Sequence, residues 1–215
     1  MKSSNSLKII IAGICSTLIA IGFGRFIYTP ILPNMQNDLD LSSTTMGIIS
    51  SYNYFGYLVG SIIPIIWKFN NFKNIIIFSS ICSVITIYLM GFTTDLKTFI
   101  ALRFFCGISS AFGFVFTISL MFNFFKDVKN KTLQLYHFCG IGLGIVIGTA
   151  AVWVISTSYL FWNHQWMFIG FIGILACIPI IFYTPKQILL KTEKIDPIEN
   201  KFKIDFLSIA FGYFF

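Results

Sequence analysis

Six uninterrupted apolar runs, each close to the length of a bilayer crossing, govern what this chain can fold into. They lie at approximately Ile9–Leu32, Thr45–Trp67, Ile75–Phe92, Phe99–Phe124, Leu133–Ser156 and Trp166–Tyr183. A helical span needs roughly 20 apolar residues to cross a hydrocarbon core about 30 Å thick. In lipid the backbone has no water to bond, so only helices and closed barrels are viable there. Barrel strands alternate lipid-facing and lumen-facing residues, and these runs do not alternate. The sequence therefore predicts an all-α polytopic membrane protein. A further apolar run starts near Phe206 and reaches Phe215, the last residue.

Charge gives the orientation. The net charge of +7 invites a nucleic-acid partner, but its distribution argues against one. With the N-terminus inside, the inner segments hold Lys2, Lys8, Lys68, Lys73, Lys126, Lys129, Lys131, Lys186, Lys191, Lys194, Lys201 and Lys203. The outer segments hold only Lys97. Twelve lysines against one is a strong positive-inside bias. It predicts a multi-pass inner-membrane protein with a cytoplasmic N-terminus, in contact with anionic lipid heads and not with nucleic acid. The first run is longer than the core of a signal peptide and lacks a small-x-small cleavage site, so it is expected to be retained.

Three parts are expected: a six-helix bundle over 1–184, a hydrophilic cytoplasmic linker over 185–205, and the start of a seventh span over 206–215. The outer loops read as Asn34–Thr44, Thr93–Thr98 and Thr157–Gln165, with Trp162 and Trp166 placed to anchor a membrane interface. The five cysteines fall in predicted spans at spacings that suit no metal, and are read as small packing residues. No cofactor or metal is implied.

Glycines recur at helical spacing. Gly140, Gly144 and Gly148 form one stripe, and Gly56 and Gly60 form another. Small residues four apart let helices approach closely in lipid, so helix packing is the expected role. The run GIGLG is not a nucleotide loop, because Ile147 stands where a third glycine is needed and the context is a span.

No Asp or Glu lies in the middle of a predicted span, yet Arg25 and Arg103 do. An arginine at the bilayer centre costs roughly 2.5–3.5 kcal/mol on insertion scales, so it faces a bundle interior or a watery path. At helical rise Arg25 lies roughly 12 Å from the outer end of its span, and Arg103 roughly 8 Å. Three partners would satisfy such charges: an anionic substrate bound in forked geometry, an acid elsewhere in the protein, or helix carbonyls and lipid phosphate. Tyr28 and Thr29 follow Arg25 by three and four residues and are expected on its face; Asn53 and Tyr57 share a face by the same rule. His137 is expected near the inner end of span five, on the glycine face, as a structural residue or a titrating one. Nothing resembles a hydrolytic triad, so an enzyme is not expected.

Six spans, a charged cytoplasmic loop and a seventh span together resemble the N-terminal half of a major facilitator superfamily transporter. LRFFCGISSAFG, Leu102–Gly113, is similar to that superfamily's R-x-x-x-G motif, with Arg103 and Gly107 at the motif positions. GFGRFIYTPILPNM (Gly22–Met35), NYFGYLVG (Asn53–Gly60) and HFCGIGLGI (His137–Ile145) resemble the YbfB/YjiJ-type branch. The resemblance implies a twelve-helix transporter of two halves, with substrate between them near the midplane and alternating access by rocking. It places Arg25 and Arg103 beside the substrate path and links Arg103 to coupling. One departure is the loop WKFNNFK, Trp67–Lys73, which lacks the family's acidic residue.

The expected function is secondary active transport of a small solute, favoured as anionic or carboxylate-bearing. Arg25, Tyr28, Asn53 and Arg103 are the expected substrate contacts, with Arg103 and His137 the expected coupling or gating residues. The expected partner is the missing C-terminal half or a second six-helix unit. The rival expectation is a non-transporting half-protein that assembles with a partner.

Overall fold

The computed structural model describes residues 3–128, 130–158 and 160–185. The linker over 185–205, apart from Pro185, and the run over 206–215 lie outside the described residues. The first rod joins α1 (Ser3–Thr17), a π-helical segment (Leu18–Phe26) and α2 (Tyr28–Leu39). Then follow α3 (Ser43–Ile66), α4 (Phe72–Leu89), α5 (Leu96–Phe124), α6 (Cys139–Thr157) and α7 (Trp162–Tyr183). Five of these six rods are long and apolar enough to cross a membrane. The other, α3, has 24 residues but dilutes its apolar character with Ser50, Ser51, Tyr52, Asn53 and Tyr54.

Local chemistry sets the helix starts. Ser42, Asn71 and Asp95 each accept the backbone N–H three residues on, which satisfies one of the donors a helix start leaves free. The first rod is the centre of the bundle: it packs on α5, α6 and α7, while α3 lies on α5 and α4 bridges α5 and α7. Large apolar side chains such as Phe78, Trp153 and Phe182 face outward, as a bilayer solvent permits.

Several expected boundaries move. The first rod runs to Leu39, so the loop expected at Asn34–Thr44 shrinks to a short turn. Its end is made by Asp40, whose φ of 50° is left-handed and whose N–H closes on Gln36. Backbone bonding continues through polar residues, and hydropathy alone does not see that. The start of span five, expected at Leu133, becomes two 3-10 turns (Lys131–Gln134 and Tyr136–Phe138) before α6 begins at Cys139. His137 thus precedes the helix that carries the glycine stripe. The last helix starts at Trp162, four residues before the expected Trp166.

Trp162 and Trp166 are not interface anchors. Trp166 is fully buried and Trp162 nearly so. Trp162 meets Phe99 edge-on at 5.8 Å, and Trp166 lies 6.2 Å from Tyr28. Asp38 of α2 accepts the Trp162 N–H at 3.3 Å, which supplies the cap that Phe161 cannot. In the loop that lacks an acid, Phe69 packs edge-on against Phe112 and Phe116, so rings hold that turn.

The glycines mark close approaches. A methyl group on Gly22 would come within 2.7 Å of Gly144 Cα. On Gly60 it would meet Ile108 O at 2.8 Å, and on Gly56 or Gly107 it would run into backbone across the α3–α5 contact. Gly140 has no room beside Ile14 and Thr17, and Gly148 is closed by Ile27 and Phe23.

Candidate functional site

The π segment decides the site. A π turn holds more residues than an α turn, so side chains three apart no longer stack as they do in an α-helix. Arg25 and Tyr28 therefore part company, contrary to the expectation of a shared face. Tyr28 is buried, Arg25 is half-buried and Thr29 is exposed.

Arg25 turns toward α3. Its Cζ lies 4.3 Å from the centroid of the Tyr57 ring and 5.1 Å from that of Tyr54. A guanidinium over a tyrosine face is attracted by the ring quadrupole, worth from about 0.5 to 2 kcal/mol as water is removed. Its Nε is buried with no hydrogen-bond partner.

Arg103 turns inward. It is 2% exposed, its Nη1 donates to Gly24 O at 3.3 Å, and its Cζ lies 4.8 Å from the Tyr28 ring. Asn53 Nδ2 donates to the same Gly24 carbonyl at 3.3 Å and to Arg103 O at 3.0 Å. Cys106 Sγ is the third donor on Gly24 O, at 3.5 Å. The Tyr28 hydroxyl donates to Met46 O at 3.0 Å. Thus Asn53 and Arg103 meet at one carbonyl near the end of the π segment with the Tyr28 ring against Arg103, while Arg25 lies against Tyr54 and Tyr57 of α3. Arg103 Nε and Asn53 Oδ1 are buried without partners.

His137 is apart from this cluster. It is fully buried, its Nδ1 is 2.7 Å from Gln134 O, its carbonyl accepts from Thr17, and its Nε2 has no partner. Between the two regions Ser16 and Thr117 share a buried hydrogen bond of 2.7 Å. All five cysteines are free. Among the described residues no group of three His, Cys, Asp or Glu side chains is placed to hold a metal.

Gly24, Cys106 and Tyr54 were not singled out by sequence reasoning. Cys106 had a signal, since it follows Arg103 by three residues on one helical face. A Cβ at Gly24 would displace the Ser110 hydroxyl and press on Ile19 O at 3.3 Å, so the site is tight there.

Residues 17–215 match the family described as Uncharacterised MFS-type transporter YbfB. The chain belongs to that family. No curated protein matches it. Membership in the YbfB-type family makes this a major facilitator transporter chain, and its apolar helices make it a multi-pass membrane protein. The match begins at Thr17, at the threshold of the π segment, and takes in Arg25, Asn53, Arg103 and His137.

Proposed function

We propose that this chain forms the first six-helix unit, 1–184, of a secondary active transporter that moves a small anionic solute by alternating access. Residues 185–205 serve as the cytoplasmic linker, and 206–215 open span seven toward a second six-helix unit. The lysine distribution supports an inner-membrane orientation with the N-terminus in the cytoplasm. In this reading Arg25 holds the anion. Asn53, Arg103 and Tyr28 fix the π segment behind it, and Arg103, with His137 as the second candidate, couples occupancy to gating.

One observation carries the proposal. Arg25 lies half-buried in an apolar rod, its Cζ 4.3 and 5.1 Å from two tyrosine rings and its Nε without an acceptor. A cation so placed is matched by an anion that comes and goes. The test is uptake by cells that express the complete protein with Arg25→Lys. Lysine keeps the charge but loses the fork. Carboxylate uptake is expected to fall by about tenfold, the equivalent of about 1.4 kcal/mol. Unchanged uptake and affinity would overturn the role.

A further inference from the structure

We infer that the Arg25 site takes a monocarboxylate with a planar apolar body and rejects phosphate and dicarboxylates, an inference that rests on the anion-site reading above. Three features of the geometry point there. First, the Tyr57 and Tyr54 rings of α3 lie beside the Arg25 guanidinium, with Cζ 4.3 and 5.1 Å from the ring centroids, and its Nε is buried without a partner. The rings supply no carboxylate to the cation. The fork's N–H donors lie in one plane, which matches the two oxygens of one carboxylate.

Second, the other arginine is withheld. Arg103 is 2% exposed, and its Nη1 is spent on Gly24 O while its face is covered by Tyr28. Among the described residues of the spans, one cation then meets the ligand. A second negative charge would be stripped of water with no matching cation there, and an unpaired charge in a low-dielectric site is costly.

Third, the exposed groups around the guanidinium are rings. Tyr54 is 46% exposed. It offers flat apolar area and one hydroxyl, which favours a planar body over a sugar-like or phosphate ligand. Tyr54 and Tyr57 are thereby positioning residues: they hold the guanidinium in place beside α3.

The test uses the purified complete protein in lipid nanodiscs, with benzoate, phenylacetate, succinate and inorganic phosphate as the probes, and calorimetry as the readout. Benzoate or phenylacetate is expected to bind at least about tenfold more tightly than succinate or phosphate, and Arg25→Gln is expected to abolish that binding. Tyr57→Leu should weaken it by about tenfold and Tyr57→Phe by clearly less, because the ring face that attracts the cation is kept in phenylalanine. Tyr57 is partly buried, so a thermal unfolding curve on each variant separates loss of binding from loss of fold. If succinate or phosphate binds as tightly through Arg25, the substrate class is overturned and the anion site stands. If no probe binds in an Arg25-dependent way, both fall. Equal loss in Tyr57→Phe and Tyr57→Leu would overturn the positioning role alone.

Discussion

Arg103 Nη1 donates to the carbonyl of Gly24 at 3.3 Å, across 79 residues of chain. Through this bond the motif arginine of α5 holds the end of the π segment in the first rod. Arg103→Lys cannot both lie flat on Tyr28 and reach that carbonyl, because an ammonium is compact and not planar. The variant is expected to lose about 2 kcal/mol of stability, the scale of a desolvated cation–π contact plus a charged hydrogen bond. Thermal unfolding in detergent, with Arg103→Lys beside wild type, measures it.

Two glycines in α6 should behave in opposite ways although they are neighbours. A Cβ at Gly144 would lie 2.8 Å from Gly22 Cα, whereas a Cβ at Gly142 meets nothing within 4 Å. Gly144→Ala is expected to destabilise the fold by about 1–3 kcal/mol, the usual cost of overpacking. Gly142→Ala is expected to be neutral or to stabilise by about 0.5–1 kcal/mol, since alanine loses less backbone entropy in a helix. Comparing the two unfolding midpoints separates packing from propensity.

The buried Ser16–Thr117 hydrogen bond is expected to be modest. Interhelical hydrogen bonds in membranes average about 0.6 kcal/mol in double-mutant cycles. A cycle of Ser16→Ala and Thr117→Val should return a coupling near that value. A coupling above about 2 kcal/mol would mean that the pair belongs to a larger polar network.

Asp95 caps α5 from outside the apolar span. Its carboxylate accepts the Thr98 N–H at 2.9 Å and the Thr98 hydroxyl at 2.8 Å, and these bonds hold its pKa below the ordinary carboxylate value. A depressed folded pKa means the cap is fully effective above the unfolded pKa and is lost as pH falls through the folded one. Unfolding curves taken from neutral pH down into the acid range should show Asp95 contributing a loss that Asp95→Asn does not show, because asparagine still accepts the N–H and does not titrate. Identical acid sensitivity in both proteins would remove the cap from the account.

Much of this could be read from residue order alone. The six rods follow from apolar length, and the close approaches at Gly56, Gly60, Gly140, Gly144 and Gly148 follow from glycines four residues apart, whereas their partner Gly22 carries no such spacing. Arg25, Arg103 and Asn53 stood out because polar groups in lipid need a reason. What stayed hidden was the pairing. Three-residue spacing put Tyr28 beside Arg25 on the assumption of α geometry, and no residue in Leu18–Phe26 announces a π-helix. The burial of Trp162 and Trp166 was equally hidden, since an aromatic near a span end fits an interface belt and a core equally well. Helix ends at Leu39 and Cys139 were misplaced for a related reason: hydropathy reports the solvent around a residue and not the bonds its backbone makes.

The central position of the first rod has a consequence for how the protein is made. This rod emerges ahead of the groups that satisfy its polar atoms: Arg103 lies 79 residues downstream of Gly24, Thr117 lies 101 beyond Ser16, and Trp162 lies 124 beyond Asp38. At a ribosomal rate of roughly 5–20 residues per second, those partners arrive about 5–25 seconds later. Asn53 reaches Gly24 from 29 residues downstream, and Tyr54 and Tyr57 follow it at once, so α3 joins the rod after about 2–6 seconds. Until Arg103, Thr117 and Trp162 arrive, the rod has to sit in the bilayer with most of its packing partners absent. Its high apolar content is therefore a requirement of biosynthesis as well as of the finished bundle, and the insertion machinery that shelters nascent spans has the longest wait here.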